Sequence, residues 1–266
     1  MFGGMFEKIF EKPIASALKK ELKSVNPIKS EHLKSGIKPI MACVGTIDEF
    51  KQNENERIGF FEKMVSKDIP NTRNINYYGS HEELIDQGFK NSSDYSYVIS
   101  KVDNSDKFSK SFKNCTGVIV TGCDKETGKN ISFLSHQDPK YFLNEDFNKN
   151  KFTKDLREQL LELKQKSVNG TIDAIIFGGN YFKEKDYSEF RENYFNSIKL
   201  LLKEIKGILG FEPVVIVGPK TKEGGKEDDV FYDNDNRLLY MIRPNVGDAT
   251  TESFLPSDME KQKKKW

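Results

Sequence analysis

Asn114-Cys115-Thr116-Gly117-Val118-Ile119-Val120-Thr121-Gly122 and, after a polar connector, Asn130-Ile131-Ser132-Phe133-Leu134-Ser135-His136-Gln137-Asp138-Pro139 form the stretch on which the reading of this chain turns. The β-branched run Val118-Ile119-Val120 marks the first half as a strand. Ile131-Ser132-Phe133-Leu134, bounded by a turn signal and a proline, marks the second. The connector Cys123-Asp124-Lys125-Glu126-Thr127-Gly128-Lys129 is charged, and Gly128 can take the positive φ of a tight reversal. A hairpin built this way brings Cys115, just before one strand, and His136, closing the next, to the same open end. A thiol then lies beside the side chain that most readily exchanges a proton near neutral pH. Cys123 falls at the opposite end.

The 266 residues have room for one large domain, or a domain with a substantial extension. Charged residues make up 31% and hydrophobic residues 36%, the balance of a soluble globular protein. A net charge of +1 gives no footing for nucleic acid or an anionic membrane. Three cysteines, without Cys-x-x-Cys or Cys/His metal spacing, read as reduced thiols in a cytoplasmic protein, with no metal or cofactor expected. His32 and His81 have no metal-ligand company. No apolar run approaches the ~20 residues that cross a bilayer. Glu7 and Glu11 interrupt what would be the apolar region of a signal peptide.

Outward from the hairpin, residues 1–25 carry a helical stripe through Phe2, Met5, Phe6, Ile9, Phe10, Ile14, Leu18 and Leu22, kinked or divided at Pro13. Its polar face bears both signs of charge, so the expectation is packing on its own domain or a second subunit rather than a membrane surface. A polar linker, a buried strand at 37–47 with Cys43 as an apolar filler, and a helix at 54–67 follow. Ser80-His81-Glu82-Glu83 fits a capping box. Residues 95–102 read as a strand and 103–113 as a polar loop leading to Cys115. Beyond Pro139 the expectation is a loop at 144–151, then a helix from Thr153 to about 167 with Leu156, Leu160, Leu161 and Leu163 on its apolar face. Next come a strand at 172–177 ending in Gly178-Gly179, a long helix at 187–208 and a strand at 214–217. A hairpin (230–232 with 238–242) turning on Asp233-Asn234-Asp235-Asn236 completes the pattern. The tail from Asn245 is polar and reads as poorly ordered.

A lone cysteine beside a strand is ordinarily a buried structural residue, and a lone histidine ordinarily just a hydrogen-bonded one. Cys115 stands out through its neighbours. Asn114 and Thr116-Gly117 are small or polar, and they let the backbone N–H groups of Cys115 and Thr116 face a substrate oxygen.

From about Tyr95 to Ile242 the chain resembles the chemoreceptor glutamine deamidase (CheD) family, which shares its cysteine–histidine core with deamidase toxins of the cytotoxic necrotizing factor type. Cys115-Thr116-Gly117-Val118-Ile119-Val120 and Phe133-Leu134-Ser135-His136-Gln137-Asp138-Pro139 take the places of that family's two site motifs. Ile175-Ile176-Phe177-Gly178-Gly179-Asn180, Arg191-Glu192-Asn193, Pro213-Val214-Val215-Ile216-Val217 and Gly224-Gly225 follow its later order. The family has glycine and serine before its cysteine, where this chain has Lys113-Asn114; its upstream threonine has no clean match, leaving Ser100 and Ser109 in that role.

The resemblance implies an α/β fold of mixed sheets in a sandwich with helices on the outer faces. It divides the chain into an N-terminal extension (1–94), a deamidase-like domain (95–244) and a tail (245–266). It implies cysteine-dependent hydrolysis of a protein glutamine, with Cys115 as nucleophile, its thiolate favoured by His136, and His136 as general base and acid. Ser100 or Ser109 would orient the imidazole, and the backbone at Cys115 and Thr116 would hold the oxyanion. Two other readings stay open: a non-catalytic interaction module on the same fold, and a thiol hydrolase of a different amide or thioester.

Overall fold

The hairpin forms where the β-branched run requires it. Strands β6 (Thr116–Cys123) and β7 (Asn130–Gln137) pair antiparallel in unbroken register from Thr116↔Gln137 to Cys123↔Asn130. The structure is a computed structural model. It describes residues 36–46, 73–75, 90–91, 97–144, 146–179, 181–182, 188–216, 220–221 and 227–243. The helices expected at 1–25 and 54–67, the capping box at 80–83, His32, His81 and the tail from 245 lie outside the described residues.

Around this hairpin grows a six-stranded mixed sheet, ordered β10-β8-β6-β7-β4-β3. Its further strands are β3 (Lys90–Asn91), β4 (Tyr97–Ile99), β8 (Asp173–Gly178) and β10 (Val214–Ile216). A five-stranded mixed sheet runs β1-β13-β12-β5-β2. It contains β1 (Met41–Thr46), β2 (Arg73–Ile75), β5 (Lys107–Phe112), β12 (Asp228–Asp233) and β13 (Leu238–Arg243). A short parallel pair, β9 (Tyr181–Phe182) with β11 (Lys220–Thr221), stands apart. Strands β1 to β3 all come from the stretch read as an N-terminal extension, yet they complete both sheets. The division at residue 95 is therefore no break in the fold.

Three helices are described: α1 (Pro139–Asn144), α2 (Asp146–Lys166) and α3 (Ser188–Leu209). Asp138 starts the first, its Oδ1 accepting the Lys140 N–H (2.9 Å), with Pro139 at the first helical position where a missing N–H costs nothing. The loop expected at 144–151 is largely helix, and Thr153 is no cap: its hydroxyl donates back to the Lys149 carbonyl (2.7 Å) from inside α2. The reason is Phe152, which is wholly buried and extends the stripe of Leu156, Leu160 and Leu163 back by a turn. Leu161 is off that stripe and 54% exposed, against expectation. Each fully buried leucine contributes about 1.5–3 kcal/mol over its exposed state, ample to fix where the helix begins. Gly210, at φ +82°, closes α3 and donates its N–H to the Lys206 carbonyl.

Side-chain alternation along the strands sorts the core. Val118, Val120, Phe133 and Ile176 face α2 and α3, which both pack on this one side of the six-stranded sheet rather than on separate outer faces. Val98, Ile119, Leu134, Ile175 and Phe177 face the other way and share a cluster with Phe112, Val230, Tyr232, Leu239 and Met241 of the five-stranded sheet. Among the described residues, no helix is long and apolar enough to cross a membrane, and no group of His, Cys, Asp or Glu is placed to hold a metal ion.

Candidate cysteine–histidine site

Antiparallel pairing sets Gly117 directly opposite His136, and on its other side opposite Phe177. Gly117 has no side chain to fill this row, and an added Cβ would lie 2.6 Å from the Phe177 ring. Phe177 therefore leans across β6 toward the histidine. Cys115, two residues before Gly117, belongs to the same buried cluster as Phe112, Ile119 and Phe177. Cys115 thus sits just before the first ladder pair, in the same cluster as the Phe112 ring that stacks on His136. Cys115 is held from behind: its carbonyl accepts the Gly179 N–H at 2.9 Å.

The remaining parts arrive from the five-stranded sheet. The segment expected to be a loop at 103–113 contains β5, and two of its side chains meet His136. Ser109 Oγ lies 2.9 Å from His136 Nδ1, and Phe112 stacks on the imidazole with ring centroids 3.8 Å apart and planes 16° from parallel. Residues three apart in a regular strand point to opposite faces. A bulge makes both reach inward: Phe112 pairs with Asp228 and Ser109 with Val230, so β5 carries one more residue than β12 between these points. Ser111, within that bulge, has φ +69°, the left-handed region.

Of the two serines considered, Ser109 is therefore the one at the imidazole. Ser100 is buried two residues up β7, where its hydroxyl oxygen accepts the Leu134 N–H (3.0 Å) and its O–H donates to the Lys101 carbonyl (3.2 Å). Thr116 points to the helix side. Its Oγ1 accepts from Gln137 Nε2 (3.1 Å) and meets Ser197 Oγ (2.5 Å), clamping the first residue of β6 to the last of β7 and to α3. Asp138 caps α1 and is not at Nδ1.

The electrostatics differ from the ion pair expected. Burial alone pushes His136 down to about 3. Burial also pushes the Cys115 thiol well up; the Asp138 and Glu227 carboxylates add to that, and a backbone hydrogen bond from Lys113 opposes it. Both groups are wholly or almost wholly out of solvent, Cys115 being 5% exposed. Burial thus disfavours the charged form of both groups, the thiolate and the imidazolium alike.

The glycine pair after β8 is explained by close approach. A Cβ on Gly178 would enter the Tyr194 hydroxyl, and one on Gly179 would enter the Phe112 carbonyl. Sequence reading missed Phe112, the bulge and Ser197. The only signal was Phe108 and Phe112 within a lysine- and serine-rich stretch, whose four-residue spacing suggests neither strand nor site. No protein-family model matches the chain, and no curated protein matches it.

Proposed function

We propose that the chain is a cysteine-dependent amide hydrolase of the glutamine deamidase type, acting on a glutamine side chain of a protein. The observation that carries this is the gathering of Ser109, His136 and Cys115 at one end of the hairpin: a hydroxyl 2.9 Å from Nδ1, and a thiol two residues before the Gly117 that pairs with His136, in the cluster of the Phe112 ring stacked on the imidazole. A base held by a third group beside a nucleophile is the general pattern of nucleophilic catalysis. On this reading the two sheets make the sandwich of the CheD family. The three cysteines, all free, suit a thiol enzyme of the reducing cytoplasm.

The chemistry follows from two neutral groups. With Nδ1–H donating to Ser109, the lone pair of Nε2 is the base. As the sulfur attacks the amide carbonyl, the thiol proton passes to Nε2 and an S–C bond forms; backbone N–H groups near Cys115 and Thr116 face the oxyanion. The imidazolium returns its proton to the departing nitrogen, releasing ammonia and leaving a thioester. Water, deprotonated by the same nitrogen, cleaves the thioester to the carboxylate and restores the thiol. The sum is one amide and one water converted to a glutamate carboxylate and ammonium, the departing ammonia taking up the proton that the new carboxylic acid gives away. His136 thus acts as a general base on a neutral thiol, not as one half of a resting ion pair.

A non-catalytic interaction module is the second reading, favoured by the burial of Cys115 and its raised pKa. A peptide carrying diazo-oxo-norleucine in place of glutamine separates the two readings. The expected result is covalent mass addition at Cys115, absent at Cys43 and Cys123, and lost in His136→Ala. Labelling indifferent to His136, or none at any pH, would leave the module. Labelling by iodoacetamide that depends on His136, without labelling by the glutamine analogue, would point to a different amide or a thioester.

A further inference from the structure

We infer that the segment from Ser111 to Asn114 is a cover over the candidate site, with Phe112 as its plug, and that it lifts off His136 before any substrate carbonyl reaches Cys115. The inference rests on Cys115 being a reacting group, but its test does not depend on which substrate it serves. Phe112 is 1% exposed, lies flat on the imidazole and meets Phe177 edge-on at 5.2 Å. The plug thus fills the space between the histidine and the opposite sheet. Its flanks differ: Lys113 is exposed and Asn114 half-buried, so the segment has an apolar inner side at Phe112 and a polar outer one.

A reacting sulfur and carbonyl carbon must come to about 3–3.5 Å of each other before bond formation. With the thiol closed off under this segment, a side chain on another protein has no approach to it. The segment is also placed to move. Ser111 holds a left-handed conformation that disfavours any residue with a Cβ. Opposing that strain are the ring contacts of Phe112, its pairing with Asp228, the Gly179 backbone packed on its carbonyl, the Ser111 N–H donated to Asp229 Oδ1 (3.0 Å) and the Lys113 N–H donated to the Ser111 carbonyl (3.0 Å). A few contacts set against a strained hinge make a balance that small changes tip. Lifting the plug readmits water to both groups, which relieves the burial that holds His136 low and Cys115 high. Opening and activation are then one event.

Alkylation by iodoacetamide, followed at Cys115 and Cys123 separately by mass spectrometry of peptides from the full-length protein, tests this. Cys123 is 8% exposed at the far end of the same strand and reports general loosening. In Phe112→Ala, Cys115 reacts faster by about tenfold or more, the factor expected when local opening loses its main closing contact, while Cys123 keeps its rate. Ser111→Val leaves the plug in place but puts a β-branched residue at positive φ, and it speeds Cys115 by a smaller factor, again without Cys123. Equal acceleration of both cysteines in both variants means the whole fold has loosened, and the cover is overturned. An unchanged Cys115 overturns it too. A selective gain at Cys115 that is the same with and without His136 keeps the cover and removes the hydrolase.

Discussion

The two ends of the central hairpin are built on opposite principles. At the turn, the reversal itself is held by residues within it, and main-chain bonds then tie it to the α2–β8 connection: the Lys125 N–H donates to the Lys166 carbonyl (2.9 Å) and the Val168 N–H to the Cys123 carbonyl (2.7 Å). Asp124 Oδ1 accepts the N–H groups of Glu126 (2.9 Å) and Thr127 (2.7 Å), Gly128 supplies φ +68°, and the Cys123 thiol donates to the Gly128 carbonyl (3.3 Å). At the other end, Cys115 and His136 are completed by Ser109 and Phe112 from a different sheet and by Gly179 after β8. The first end is shaped by its own turn residues and anchored from outside mainly through main-chain groups. The second leaves a thiol and an imidazole enclosed by side chains that come from elsewhere, the arrangement on which the proposed reaction centre rests.

The sharpest way to break this contrast is at Gly179. A Cβ there would lie well inside contact distance of the Phe112 carbonyl, so the added methyl group and the covering segment compete for the same space. Gly179→Ala is expected to destabilise the fold by about 3 kcal/mol, the upper part of the range for overpacking a closed site. Urea denaturation measures the loss. It should be accompanied by faster alkylation of Cys115, since the clash pushes directly on the segment covering it. A cost below about 1 kcal/mol would mean that the two sheets are not held together at this point as described.

Acid provides a second lever, with an effect about two-thirds as large. His136 titrates at about 3 when folded, below the roughly 6.5 of a free imidazole, so the unfolded chain takes up the proton first as pH falls. The contribution of neutral His136 is therefore fully present above pH 6.5 and drains away between about 6.5 and 3. From pH 7 to pH 5 this amounts to about 2 kcal/mol. Urea midpoints at the two pH values, for the native chain and for His136→Asn, isolate it: the native chain loses this stability and the variant does not. Parallel losses in both would show the imidazole to be hydrated, and the stacked Phe112 would not be shielding it.

The same contrast decides what could be read from the sequence. The hairpin, its turn, the β12–β13 hairpin and the shared end of Cys115 and His136 follow from local signals, namely β-branched runs, turn residues and the period of alternation. The third side of the site does not. Lys107-Phe108-Ser109-Lys110-Ser111-Phe112 alternates only weakly, because the polar Ser109 is buried against the His136 imidazole, and the bulge then breaks the period before Phe112. The helix start was misread for a related reason: Phe152 sits among lysines and asparagines, so its membership of the leucine stripe shows only once the sheet it packs on is known. The burial of Cys115 and His136 is hidden for want of the same information, since nothing in either strand tells that another sheet closes over them.

The smallest expected effect tests the quiet end. Gly128 is at φ +68°, and a Cβ there meets nothing within 4 Å, so Gly128→Ala adds no clash and carries only the conformational cost of a left-handed alanine, about 1 kcal/mol. The Asp124 hydrogen bonds hold the turn in place, so the cost should appear as a small shift in the denaturation midpoint and no change of structure. Cys123, whose thiol donates to the Gly128 carbonyl, should become somewhat more reactive. Cys115 should not respond, because its surroundings are drawn from β5, β7 and the Gly179 turn rather than from the far end of its own strand. A change in Cys115 reactivity on this substitution would mean that strain travels the length of β6, and that the local turn helps to set the chemistry at the other end.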